Sequence, residues 1–184
     1  MKLFAITPGD CTADRLFGLL PRLRDRGATH VYLRAAALRR NLFSIAAAAA
    51  SSGILPIVPH ELYARHLRPC GAHFTSCEID RISREAPDDA DIITASGHSS
   101  EDARLAIQAG ADFVFVSPVY APLSKADNRE RLHRADVQAL VSRYGEKVVL
   151  LGGLTPERIR ELERSMPALF SAAGISMFFS HSGQ

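Results

Sequence analysis

Long apolar runs are the plainest deficit of this chain. Its most apolar window, Ile45 to Ala50, lies in an alanine run and falls well short of the ~20 residues that a bilayer span requires. The N-terminal MKLFAITPGD has neither a long apolar region nor a cleavage signal, so no membrane segment or leader is expected. Charge of one sign is scarce as well. The formal net charge is +2, too small to point to nucleic acid or a membrane surface as a partner. Cysteine is rare: Cys11, Cys70 and Cys77 form an odd set with no C-x-x-C pair, which points to a reduced, cytoplasmic protein. Heptads, low-complexity tails and linkers are also missing. With 184 residues, 47% of them hydrophobic and 23% charged, the chain reads as a single globular domain spanning 1–184.

What is present is an alternation. Short apolar runs bounded by turn residues recur, and most are separated by segments with helical spacing of Leu, Ala and Arg, the pattern of βαβ units. The clearest run is Phe113 to Val116, stopped by Ser117-Pro118, which reads as a fully buried parallel strand. The other strands are expected at Lys2–Thr7, His30–Arg34, Leu55–Val58, Ala72–Thr75, Asp91–Ser96, Lys147–Leu151 and Leu169–Ile175. Leu16, Leu19, Leu20 and Leu23 mark one face of a first helix that stops near Gly27. Further helices are expected through Leu42–Ser51, in short form over Glu61–Leu67, over Ser100–Ala109, and with Leu132, Val137, Leu140 and Val141 on one side. Ser99 with Asp102 forms a capping pair, and Thr155-Pro156 supplies an N-cap followed by a first-turn proline for a helix ending near Met166.

Eight strands with interleaved helices fit a closed (β/α)8 TIM barrel, although the chain is shorter than the ~200 residues usual for that fold. The outer helix ring should be incomplete. The stretch Asp80–Asp91 is too polar for a full helix after strand four, and little chain remains after strand eight. An open flavodoxin-like sheet is the alternative, but Thr7-Pro8-Gly9-Asp10-Cys11 lacks the glycine-rich fingerprint that it would need.

In a barrel the chemistry collects where strands end, which singles out Thr7, Arg34, His60, Thr75, Ser96, Ser117, Gly152 with Gly153, and Ser176. Gly152-Gly153 and Ser176 stand where barrels commonly hold phosphate on backbone N–H groups; the plainer reading is a simple turn. Arg34 is either a bidentate phosphate clamp or a surface charge. Lys125 follows strand six as a further anion-binding group. His60, His73 and His98 could each be an acid–base group or a metal ligand, although no H-x-x-x-H spacing exists. Glu78 and Asp80 could hold Mg2+ together with substrate phosphate, or be solvated loop acids.

The ordered array Val31-Tyr-Leu-Arg34, Gly71-Ala-His-Phe74, Ser96-Gly-His98, Gly110 to Tyr120 with Ser124-Lys125, Leu151-Gly-Gly-Leu-Thr-Pro156 and Gly174-Ile-Ser176 resembles the thiamine-phosphate synthase and thiazole tautomerase (TenI-like) family. The likeness runs from about Lys2 to Phe179. It implies a (β/α)8 barrel in thiamine biosynthesis that transfers an aminopyrimidine methyl group from its pyrophosphate to a thiazole phosphate. By that resemblance Arg34, Ser96 and Lys125 would contact pyrophosphate; Ser124, Gly153, Ile175 and Ser176 would hold the thiazole phosphate, beside the Gly152 already singled out at the end of strand seven; Glu78 would be a Mg2+ ligand. The chain departs from the family pattern at Tyr32, Ala36, Pro59 and His60, losing a pyrimidine-side Gln, a pyrophosphate lysine, a pyrimidine contact and a second Mg2+ carboxylate. A tautomerase-like enzyme, with His60 or His98 as acid–base group, and a barrel that only binds a thiazole or thiamine phosphate are the alternatives. Expected partners are a small phosphorylated substrate and, at the gap near strand eight, a second copy of the chain in a homodimer.

Overall fold

The computed structural model describes residues 1–120, 131–166 and 170–179. Its sheet is a closed barrel of parallel strands in sequence order: β1 (Leu3–Ile6), β2 (His30–Tyr32), β3 (Leu55–Pro59), β4 (Gly71–Phe74), β5 (Ile93–Gly97), β6 (Phe113–Val116), β7 (Val148–Leu150) and β8 (Ser171–Gly174). The last strand closes the ring on the first, with Phe4 opposite Ala173. The barrel is the expected fold. Strand β6 has the bounds expected from its sequence, whereas most others are a residue or two shorter than their apolar runs.

Side chains alternate across a strand, and this alternation divides the core. Phe4, Ile6, Tyr32, Ile57, Phe113, Phe115, Val149 and Ala173 face inward and pack as one cluster. The intervening residues pack outward against the helices in two larger clusters. The barrel is therefore filled rather than hollow, and its interior forms two layers. Near the strand N-termini, Phe4 stacks on His30 with centroids 4.2 Å apart, and the Lys2 Nζ sits 4.4 Å from the Phe113 ring centre. Near the C-termini, His73 lies against Tyr32 at 4.3 Å and Phe115 at 5.2 Å. Phe4 touches Phe113 at 5.3 Å and Phe115 at 5.2 Å, which joins the layers.

The outer ring is uneven, as expected. Full helices are α1 (Ala13–Asp25), α2 (Leu42–Ser51), α4 (Ser100–Gln108), α5 (Arg134–Tyr144) and α6 (Pro156–Ser165). Between β4 and β5 stand only a 3-10 segment, Ser76–Arg81, and the four-residue α3 (Ile82–Glu85). After β8 comes the equally short α7 (Ser176–Phe179). The helix expected over Glu61–Leu67 is replaced by two 3-10 turns, His60–Leu62 and Arg65–Leu67. Tyr63 and Ala64 between them are extended, and side chains clamp this sector instead. The Tyr63 hydroxyl and Arg65 Nε donate to Asp89 at 3.3 and 2.7 Å, and the Cys70 N–H donates to Asp91 Oδ2 at 2.8 Å.

The expected caps form. Thr155 Oγ1 accepts from the Arg158 N–H at 3.3 Å, and Ser99 Oγ accepts from the Asp102 N–H at 3.0 Å. The Asp102 carboxylate reaches one residue further back than a capping box, taking the His98 N–H at 2.8 Å. Gly97 lets α4 approach, because a Cβ there would lie 3.2 Å from Asp102 Cβ and 3.3 Å from Ala103 N. Burial pushes the Cys70 thiol up to about 12, so it stays a protonated packing residue.

Candidate active site at the C-terminal mouth

The residues singled out at strand ends meet at one end of the barrel because every strand is parallel. Thr7 organises the first part. Its buried hydroxyl donates to the Tyr32 carbonyl at 3.2 Å and accepts from the Arg34 and Ala35 N–H groups at 2.9 and 3.2 Å. The backbone of the β2 loop is thus fixed while the Arg34 side chain is exposed, with no hydrogen bond or ion pair among the described residues. An unneutralised guanidinium on a fixed backbone can bind an anion without first breaking a protein contact.

Beside it the interior holds a polar group that sequence reasoning counted only among undifferentiated histidines. His73 is 2% exposed, with Nδ1 2.9 Å from Thr94 Oγ1 and Nε2 2.9 Å from Ser96 Oγ. Burial drives its pKa down to about 3, so the ring is neutral. Ser96 is half-buried and is the member of this chain that keeps contact with solvent. The period-2 placement of His73, Thr94 and Ser96 is visible in the sequence, but their meeting depends on the register of β4 with β5, where His73 lies opposite Thr94.

His60 lies against Phe74, centroids 4.2 Å apart and planes 15° apart, with 6% of its side chain exposed. Its Nδ1 is buried and lacks a hydrogen-bond partner among the described residues, standing 3.6 Å from Glu61 Oε2 and 3.8 Å from Glu78 Oε2. Glu78 is already engaged. Its Oε2 accepts from the Thr75 N–H at 2.9 Å and the Thr75 hydroxyl at 2.6 Å, and its Oε1 pairs with Arg81 at 3.1 Å. Burial opposes its ionisation, but the Thr75 hydrogen bonds and nearby positive charge hold its carboxyl below the usual range.

This donor set does not suit Mg2+. Among the described residues no three His, Cys, Asp or Glu side chains gather as ligands, and the one expected carboxylate is spent on a cap and an arginine. A hard cation wants several oxygens, whereas Glu78 shares this spot with the His60 imidazole and with Glu61, which lies 3.6 Å from His60 Nδ1. The described residues alone therefore do not fit the ion.

His98 is exposed, and its Nδ1 lies 3.0 Å from the Ser117 carbonyl; since a carbonyl only accepts, Nδ1 carries the proton. Gly152 and Gly153 both have positive φ, +102° and +59°. A Cβ at Gly152 would come within 2.9 Å of Pro118 Cα, so tight packing of the β6 and β7 loops already requires a glycine there. The Gly153 carbonyl accepts a hydrogen bond from Arg158 Nη1, and the Arg158 guanidinium lies 4.7 Å over the Tyr120 ring. Sequence reasoning misses Arg158; its place in the first turn of the helix after Gly-Gly is the available signal. Ile175 and Ser176 follow β8, and the Ile175 carbonyl accepts from the Phe178 and Phe179 N–H groups. Ser124 and Lys125 lie outside the described residues.

The closed ring with polar groups at its C-terminal end makes this a (β/α)8 barrel protein. A model of the thiamine monophosphate synthase family matches residues 3–177, and the chain belongs to that family. The thiamine-phosphate synthase of Geobacillus thermodenitrificans is 35% identical over 74 residues, 38% of this chain and 32% of that protein. The putative thiamine-phosphate synthase 2 of Aquifex aeolicus is 31% identical over 87 residues, 47% of this chain and 45% of that protein. Each aligned stretch spans less than half of the relative's length. Among solved structures, thiamine phosphate pyrophosphorylase from Pyrococcus furiosus superposes with a TM-score of 0.68 over 95% of this chain and 85% of that one, at 19% identity, a likeness of fold.

Proposed function

We propose that the protein is a thiamine-phosphate synthase-like transferase of thiamine biosynthesis. In that reaction the methylene C–O bond of an aminopyrimidine methyl pyrophosphate breaks, its electron pair leaves with the pyrophosphate, and the thiazole ring nitrogen forms the new C–N bond. The products are thiamine phosphate and pyrophosphate. The observation that carries this reading is the Arg34 guanidinium, exposed and without a protein partner among the described residues, in a barrel whose family match covers residues 3–177. In this reading Arg34 stabilises charge on the departing pyrophosphate, and Ser96 adds a hydroxyl contact. Gly153, Ile175 and Ser176 receive the thiazole phosphate, with Ser124 and Lys125 completing the grip. Cytoplasmic location and a homodimer covering the short α7 belong to the same proposal. Among the described residues no helix is long and apolar enough to cross a membrane.

One observation favours a second reading. His60, with an unpartnered buried Nδ1 between two carboxylates, suits proton transfer without a metal, as a thiazole tautomerase requires. Incubation with both synthase substrates, with and without Mg2+, separates the readings. Thiamine phosphate formation supports the transferase. No product, together with thiazole phosphate binding and tautomer exchange lost in His60→Gln, would replace it with the tautomerase.

A further inference from the structure

The buried chain Thr94–His73–Ser96 controls what Ser96 offers to the mouth. A neutral imidazole has one N–H and one lone pair, so only one of its two hydroxyl neighbours can donate to it. Thr94 Oγ1 lies 3.3 Å from the Ala72 carbonyl, which can only accept. While Thr94 donates there, it accepts from His73 Nδ1–H, and Nε2 is left to accept the Ser96 proton. Ser96 then shows only lone pairs to a ligand. In the other tautomer the Thr94 hydroxyl turns to Nδ1, Nε2–H donates to Ser96 Oγ, and the Ser96 proton is released toward the mouth. The exchange costs one long hydrogen bond, and both 2.9 Å contacts survive it.

We infer that His73 is a positioning residue whose tautomer sets the hydrogen-bond polarity of Ser96. It carries Nδ1–H in the free protein and switches to Nε2–H when an anion occupies the mouth, so that Ser96 donates to it. The surroundings favour a change of tautomer over a change of charge. The ring lies between Tyr32 and Phe115, is 2% exposed, and would be expensive to ionise. Of the two hydroxyls, Thr94 is fully buried and Ser96 is half-buried, so the ligand can act on one end only. This inference rests on the phosphate-binding reading of the mouth.

The test is magnetic resonance of the protein with histidine labelled in the heavy nitrogen isotope, because protonated and bare ring nitrogens have distinct shifts, with inorganic pyrophosphate as the probe. The expected result is Nδ1–H in the free protein and Nε2–H at saturation. Nε2–H already in the free protein, or Nδ1–H retained when pyrophosphate is bound, overturns the inference and leaves the anion site standing. Absence of any pyrophosphate binding overturns the anion site and the inference with it. A second readout uses variants. His73→Phe should weaken pyrophosphate binding roughly tenfold, the size of one hydrogen bond, while His73→Gln, whose amide supplies both a donor and an acceptor, should stay within about threefold of wild type. Wild-type affinity in a folded His73→Phe protein contradicts the role. If the variants do not fold, the wild-type spectrum decides.

Discussion

The two interior layers of the barrel use the same materials to different ends. Each has a buried histidine packed against aromatic rings and hydrogen-bonded to hydroxyl oxygen. In the N-terminal layer the His30 Nδ1 meets a single hydroxyl, Thr29 Oγ1, at 2.7 Å, and Phe4 and Phe113 pack against its ring. In the C-terminal layer His73 bridges two hydroxyls, and one of them, Ser96, is half-buried near the C-terminal end of its strand. Burial alone therefore does not mark a functional histidine. What separates the two is whether the hydrogen-bonded chain ends inside the core or at a surface where a ligand can act on it.

The comparison breaks first at the residue shared by both layers. Phe4→Ala should cost about 3–5 kcal/mol of unfolding free energy by urea titration, the range for deleting a buried aromatic ring. Anion affinity of the remaining folded protein should be unchanged, because the rings that Phe4 meets, His30, Phe113 and Phe115, carry none of the polar groups assigned to the mouth. A loss of affinity parallel to the loss of stability would mean that the layers are not separable.

Acid tests both histidines at once. Burial, aided by Lys2, lowers the His30 pKa from 6.5 to about 4, and burial lowers His73 to about 3. Between the unfolded and folded values the unfolded chain binds more protons, so stability is complete above about 6.5 and falls as pH drops toward 4. Melting temperature against pH should show this decline, less steeply in His30→Gln. An identical slope in that variant would contradict the burial of His30 as a neutral ring.

Smaller effects sharpen the distinction. His30→Phe should leave pyrophosphate affinity within about twofold of wild type, since no hydrogen bond to the ligand is involved, in contrast to the loss expected at His73. Lys2→Met should raise the His30 pKa slightly, because the ammonium on the same layer opposes imidazole ionisation; a histidine titration followed by magnetic resonance measures it, and a downward shift would refute the pairing.

The fold is largely legible in the sequence because parallel strands buried on both faces are short and apolar. Phe113–Val116 matches to the residue, and the weak connection after β4 follows from the polarity of Asp80–Asp91. The Glu61–Leu67 segment misleads because its Leu and Tyr spacing is also compatible with two 3-10 turns, and only the clamps to Asp89 and Asp91 decide between them. The site is half legible. Strand-end positions such as Arg34, Ser96 and Gly153 follow from topology alone. The His73 chain depends on strand register that no local pattern encodes, whereas the Thr75-x-x-Glu78 capping box with Arg81 one turn on, and Arg158 in the first turn after Gly-Gly, are local patterns that a closer reading of the sequence could find.

Calorimetric titration of inorganic pyrophosphate into wild type and Arg34→Ala tests most directly the claim that the C-terminal mouth is an anion site built on Arg34. Saturable binding to wild type is expected, weakened in the variant by about 1.5–3 kcal/mol, the usual worth of a hydrogen bond to a charged group, with melting temperature unchanged. Equal affinity in the two proteins, or no binding to wild type, would contradict it.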